Sequence, residues 1–196
     1  MGFLSILSYA HKLIEERVSP GETVVDATAG NGVDTLFLAK CVGPEGSVHA
    51  FDIQAQALER TRQRLEQELS AFAPVPVQLH ERSHALMEQT LPPHAKGRVA
   101  AVMFNLGYLP GADHQTVTVP DSTLPALRQS VEWLRKGGIL TIILYTGHEG
   151  GEQEAAAVRT WAEQLPQKQY QVLEYRFLNQ KNHPPYCIAV EKRLAD

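Results

Sequence analysis

The stretch Thr23-Val24-Val25-Asp26-Ala27-Thr28-Ala29-Gly30-Asn31-Gly32-Val33-Asp34-Thr35 decides the fold. Its first four residues read as a short buried strand, and a loop of small residues follows. From about Gly32 to Cys41 the pattern turns helical. Ala29, Gly30 and Gly32 let backbone come close to a ligand, and the helix N-terminus offers free N–H groups. A strand that feeds a helix through such a loop is the first half of a β-α-β unit, and the rest of the chain repeats the alternation.

Upstream, residues 3–17 predict a helix with Ile6, Leu7, Ala10, Leu13 and Ile14 on one face, stopped by Ser19-Pro20-Gly21. Downstream, Ser47 to Phe51 reads as a second strand. A helix from Gln54 to Leu69 then places Ala55, Leu58, Leu65 and Leu69 inward, and Arg60, Arg62, Arg64, Glu66 and Glu68 in solvent. Val75 to Leu79 predicts a third strand, which Pro76 pushes toward an edge. Val99 to Phe104 and Ile139 to Tyr145 are a fourth and a fifth, with helices near 121–135 and 151–164. Tyr170 to Phe177 and Cys187 to Lys192 close the chain as two strands with no helix between them. The expectation is an α/β fold with a doubly wound sheet, mostly parallel, ending in a C-terminal antiparallel hairpin.

Composition narrows the function classes. A chain of 196 residues, 43% hydrophobic and 20% charged, suits one globular domain with a full core. No apolar run approaches the roughly 20 residues that span a bilayer, and Met1 to Leu7 lacks a basic signal-peptide n-region. Cys41 and Cys187, two cysteines far apart, make no disulfide framework and point to a reducing cytoplasm. The net charge of −4 argues against a broad nucleic-acid surface. Its distribution is uneven. Residues 166–196 carry five basic against three acidic groups, +2, which leaves −6 for the first 165. A local basic patch near the last hairpin, with Lys181 and Arg176, remains compatible with a short RNA stem-loop.

In a doubly wound sheet, ligands bind beyond the carboxyl ends of the strands, so each strand-to-helix loop is a candidate site. Asp26 ends the first strand, and Asp52 ends the second, 20 residues after Gly32. At that spacing a carboxylate can bind the hydroxyls of an adenosine ribose; it can equally cap the helix that begins near Gln54. Gly30-x-Gly32-x-x-Thr35 comes close to the fingerprint of NAD enzymes, so a dehydrogenase stays in view. Against it stand the acidic residue before the loop and the short chain. No Gly-Lys-Ser/Thr is present, which excludes a P-loop. Two acidic strand ends around a glycine loop form the pattern of S-adenosylmethionine sites.

Three later loops carry the remaining candidates. Ser83 and His84, after the third strand, are placed beside an adenine ring. His80 and His84 are four apart but straddle a strand end, and no metal site is expected. Asn105-Leu106-Gly107-Tyr108, after the fourth strand, has the layout of the Asn/Asp-Pro-Pro-Tyr/Phe motif of enzymes that methylate amino nitrogens, with the prolines missing. An amide oxygen there accepts from an amine N–H while an aromatic ring packs on the substrate. His148, in Tyr145-Thr146-Gly147-His148-Glu149-Gly150-Gly151, is a substrate-contact or proton-relay candidate or a plain loop histidine. Asn182-His183-Pro184-Pro185 reads as a rigid hairpin connection at the substrate rim.

Taken together, residues 26–35, Phe51 to Gln54, Ser83-His84, Asn105 to Gly111 and Tyr145 to Gly151 resemble a family of small class I S-adenosylmethionine-dependent methyltransferases. That family carries the label "putative rRNA methylase" and is similar to the MnmM-type tRNA methyltransferases. The resemblance runs from the first helix to the last strand; Ala112, where members often carry glycine, is a mild departure. It implies one Rossmann-like methyltransferase domain over 1–196 and N-methylation of the 5-aminomethyl group of 5-aminomethyl-2-thiouridine at tRNA wobble position 34. It also implies a homodimer and an anticodon stem-loop as partner. On this reading the cofactor is held by Asp26, Gly30, Asn31, Gly32, Asp34, Thr35, Asp52, Gln54, Ser83, His84 and Asn105. Asn105, Tyr108 and His148 serve the chemistry, and Gly107, Leu109, His114 and Tyr145 face the substrate. His11 is expected over the cofactor. Methylation of another RNA or a small-molecule amine, and a non-catalytic nucleotide-binding module, are the alternatives.

Overall fold

The structure is a computed structural model that describes residues 2–69, 75–107 and 117–194. Helix α1 (Ile6–Glu15) starts later than its apolar pattern, because the Ser5 hydroxyl accepts the Ser8 N–H at 3.1 Å and caps it there. Then come β1 (Thr23–Asp26), α2 (Val33–Val42), β2 (Ser47–Asp52), α3 (Ala55–Leu69) and β3 (Val77–Glu81). After β3 the chain makes short turns, among them the four-residue α4 (Met87–Thr90). β4 (Val99–Leu106), α5 (Pro120–Trp133), β5 (Leu134–Leu144), α6 (Gly151–Glu163), β6 (Tyr170–Tyr175) and β7 (Tyr186–Lys192) complete the order.

All seven strands form one sheet in the order β3-β2-β1-β4-β5-β7-β6. The pairs from β3 to β5 are parallel, and β7 runs antiparallel to both β5 and β6. β3 and β6 are the edges, which is where Pro76, lacking an N–H, allows its strand to lie. The strand order reverses between β1 and β4, so the crevice for a ligand opens there.

Helices cover both faces, and the central strands are therefore apolar on both sides. Toward α1 and α2, Leu13, Ile14, Leu38 and Val42 pack with Val24, Val48, Ala101 and Met103. On the opposite face, Leu127, Val131, Val158 and Trp161 of α5 and α6 pack with Val25, Val102, Phe104, Leu140 and Ile142. Ile6, Ala10, Leu13 and Ile14 of α1 are buried as the periodicity predicts, whereas Leu7 is only half-buried and lines the site described below.

α3 buries Leu58 as expected, but its buried face is shifted from the predicted one. Ala57, Leu58 and Thr61 are inside, Ala55 is exposed, and Leu65 and Leu69 are half-buried. The cause is the glycine loop. Gly32 has φ +76°, and a Cβ on it would stand 2.8 Å from the Thr61 Cα. The loop backbone therefore lies directly on α3, which must present short side chains. Nor are Arg60 and Arg64 solvent groups: Arg64 Nε donates to the Asn31 carbonyl at 2.7 Å, and Arg60 donates to Asn31 Oδ1 at 3.3 Å.

Candidate active site at the strand carboxyl ends

The loops after β1, β2, β3, β4 and β5 enclose a cavity of about 720 Å³, a volume common for cofactor sites. Ala27, Ala29, Phe51 and Ile53 give it apolar walls; Asp52, Asp34 and Asn105 give it polar ones.

Asp52 ties the first two loops together at the cavity wall. Its Oδ2 accepts the Gly30 N–H at 3.0 Å and its Oδ1 the Gln54 N–H at 2.9 Å, and it lines the cavity. A carboxylate oxygen has two acceptor positions, so each keeps one for a ligand hydroxyl. Gly30, Asn31, Gln54, Ser83 and His84 line the same cavity. Ser83 Oγ accepts the Ala85 N–H and starts the turn that carries His84. His84 Nδ1 lies 3.1 Å from the Ala27 carbonyl. A carbonyl only accepts, so the proton sits on Nδ1. Burial pushes the His84 pKa down, against the Ala27 hydrogen bond and the Asp52 charge, and holds the ring neutral.

Asp26, Gly32 and Thr35 do not line the cavity. They brace its floor. Asp26 is fully buried, with Oδ1 accepting the Thr28 N–H at 3.1 Å and Oδ2 the Thr35 hydroxyl at 2.6 Å. Burial first, then the Asp34 and Asp52 charges, push its pKa up to about 7, opposed by those two hydrogen bonds. Asp26 and Thr35 bond to each other beneath the loop, and Gly32 packs against α3.

The β4 end is built around Asn105. Its N–H donates to the Thr28 hydroxyl at 2.7 Å, and its amide nitrogen donates to Asp34 Oδ2 at 2.5 Å. Because Asp34 can only accept, the Asn105 amide nitrogen must face it, and the oxygen is what Asn105 has to offer the cavity. The next two carbonyls already accept, Leu106 from Tyr145 N–H and Gly107 from Thr118 N–H, both at 3.0 Å. Gly107 and Tyr145 line the cavity in mutual contact; a Cβ at Gly107 would lie 3.2 Å from that of Tyr145. Burial and the Asp34 charge raise the Tyr145 hydroxyl pKa. Tyr108, Leu109 and His114 lie outside the described residues.

His148 lines the cavity, and its loop is shaped by close approach. A Cβ on Gly151 would stand 2.6 Å from the His148 ring and 2.8 Å from the Tyr145 carbonyl. Gly151 therefore serves tight packing, whereas Gly150, at φ +80° with open space around it, is the left-handed N-cap of α6. His183 also reaches the rim, at φ +51°, 3.0 Å from Glu152. His11 is not among the residues that line the cavity; its Nε2 lies 2.7 Å from Asp34 Oδ1.

Sequence reasoning missed Leu7, Thr28, Val117, Thr118 and Ser122 as lining residues. Thr118 and Thr123 both donate to Glu154, at 2.6 Å each, and that buried carboxylate ties the segment after the β4 loop to α6. Thr118 and Thr123 belong to no motif and give no signal; a carboxylate inside the apolar face of α6 is the one cue available. Among the described residues, no group of three or more His, Cys, Asp or Glu is arranged for a metal, and no helix is long and apolar enough to cross a membrane.

With that geometry in hand, comparison with known proteins is informative. Residues 48–191 match the family described as "Putative rRNA methylase". A crystal structure from Clostridium thermocellum under the same description superposes with a TM-score of 0.91 at 39% identity, covering 98% of this chain and 100% of that one. A Streptococcus mutans structure, described as "a putative methyltransferase" in complex with SAH, superposes with a TM-score of 0.85 at 35% identity, covering 97% of this chain and 99% of that one. The Arabidopsis thaliana protein named "tRNA (mnm(5)s(2)U34)-methyltransferase, chloroplastic" is 37% identical over 180 residues, 89% of this chain, and the match spans 65% of that protein's length. By sequence match, coverage and fold, the chain belongs to the rRNA_methylase family.

Proposed function

We propose that this chain is an S-adenosylmethionine-dependent tRNA methyltransferase. On this reading it methylates the amino nitrogen of 5-aminomethyl-2-thiouridine at wobble position 34, giving the 5-methylaminomethyl form. The observation that carries it is the Asp34–Asn105 hydrogen bond, which presents a fixed amide oxygen to the cavity beside Gly107 and Tyr145. The name of the Arabidopsis relative and the SAH of the Streptococcus structure agree with it.

The residues present fit the cofactor: a cavity of this volume with apolar walls and, on Asp52, a carboxylate with one acceptor position per oxygen. Asp52 accepts from the ribose hydroxyls, with Gln54 beside it; Ser83 and His84 flank the adenine; Gly30, Asn31 and Asp34 border the methionine end. S-adenosylmethionine, when bound, supplies an electrophilic methyl group. Asn105 Oδ1 accepts an N–H of the substrate amine and orients its lone pair. The amine must be neutral, and the apolar enclosure favours its loss of a proton. Near-attack positioning of this kind can supply much of the rate. Tyr108, Leu109 and His114 complete the substrate side of the same proposal, with His148, which lines the cavity, assigned to the chemistry. The base reaches them flipped out of the anticodon loop.

The single domain over 1–196, the homodimer and a reducing cytoplasm belong to this reading as well. Free Cys41 and Cys187 support the last, and the exposed edge strand β6, with Val172 and Leu173 outward, supports a paired copy. Incubation of the protein with hypomodified tRNA and S-adenosylmethionine, followed by mass spectrometry of the nucleosides, tests the function. The expected result is a gain of one methyl on 5-aminomethyl-2-thiouridine; methylation of rRNA or a free amine instead would overturn it.

A further inference from the structure

Asp34 has a second partner that the chemistry above does not use. The carboxylate is 5% exposed, and each of its oxygens has a partner: Oδ2 accepts from Asn105, and Oδ1 from His11 Nε2 at 2.7 Å. Since a carboxylate only accepts, His11 must carry its proton on Nε2, whatever the charge of the ring. The ring is held in place from the other side. It stacks on Phe37, one turn along α2 from Asp34, with centroids 3.8 Å apart and planes 4° apart. Three elements thus meet in one line: His11 from α1, Asp34 from the first turn of α2, and Asn105 from the end of β4. His11 is not among the residues that line the cavity.

We infer that His11 is a positioning residue for amine methylation, its N–H fixing the Asp34 carboxylate and through it the orientation of the Asn105 amide. The inference rests on the function proposed above. The physical reasoning is that an amide with one committed arm is only as well placed as the group that holds it. Asp34 without His11 can swing about its χ torsions, and Asn105 then loses the fixed direction of its oxygen. Outer partners of this kind commonly change activity without touching the reacting atoms.

Two substitutions separate this role from simple packing. His11→Phe keeps a ring on Phe37 and removes the N–H; His11→Gln keeps an amide N–H near the Nε2 position and removes the ring. In steady-state tRNA methylation, His11→Phe is expected to lower kcat by about tenfold or more, as misplacement of a reacting group does, with KM for tRNA and S-adenosylmethionine affinity little changed. His11→Gln should restore most of the loss. In an Asn105→Ala background, His11→Phe should have little further effect, because both act through the same amide. A His11→Phe enzyme as active as wild type overturns the inference alone, as does a His11→Gln enzyme that falls as far as His11→Phe. A wild-type enzyme that leaves the amine unmethylated overturns the functional reading and this inference with it.

Discussion

At the scale of single residues, the site depends on carboxylates placed in three different environments. Asp52 is half-buried and bonded to two backbone N–H groups, and it should hold the ribose. Hydrogen bonds to a charged group are worth about 1.5–3 kcal/mol, so Asp52→Ala should weaken S-adenosylmethionine binding by at least about tenfold in calorimetry. Unchanged affinity would remove Asp52 from the site. Asp26 is different, because burial pushes its pKa from an ordinary 3.8 up to about 7. Between those values the folded protein holds a proton that the unfolded chain has released. Stability therefore falls as pH rises from about 4 through about 7 and then levels off. Thermal melting of wild type should decline over this range more steeply than that of Asp26→Asn, which mimics the protonated form; equal slopes would contradict the assignment. Both aspartates were legible as strand ends flanking a glycine loop. Their division of labour was not, since spacing places a residue along the chain but does not say which way its side chain turns.

At the scale of elements, the loops are held by contacts distant in sequence. The Gly107 carbonyl accepts the Thr118 N–H, Thr118 and Thr123 donate to Glu154, and Gly151 admits the His148 ring. Glu154→Ala would leave two hydroxyls without their acceptor, at a cost of about 1–3 kcal/mol. A lower melting temperature and a raised KM for tRNA are expected, with S-adenosylmethionine binding retained; Glu154→Gln, which keeps an oxygen acceptor, should suffer less. If Glu154→Ala leaves KM unchanged, the clamp has no bearing on the substrate loop. The sequence made the strands readable because buried parallel strands are runs of β-branched and apolar residues. It also announced β3 as an edge through Pro76. Other elements were hidden. The turns after β3 are too short to show a period, and Lys136-Gly137-Gly138 reads as a stop although β5 already begins at Leu134. The buried face of α3 is shifted from its periodicity because Thr61 lies under the glycine loop, a contact that no periodicity contains.

At the scale of the whole molecule, the seven-stranded sheet brings loops from five strands to one edge, and the proposed RNA substrate would meet a chain of net charge −4 there. The uneven charge resolves the tension. Lys181 lies in the exposed β6–β7 connection two residues from His183, which reaches the cavity rim. A small contact of one to three phosphates should give a log K against log salt slope of about −1 to −3. Lys181→Glu should weaken tRNA binding and flatten that slope, while S-adenosylmethionine binding stays as it was; an unaltered slope would place the RNA elsewhere. The central claim is that this fold sets Asn105 to hold an amine for methylation. Its most direct test is the single-turnover rate of methyl transfer to tRNA bearing 5-aminomethyl-2-thiouridine, compared between wild type and Asn105→Ala at saturating S-adenosylmethionine. Loss of the positioning amide should slow transfer on the order of a hundredfold while calorimetry still shows the cofactor bound. Equal rates with equal cofactor binding would contradict the account.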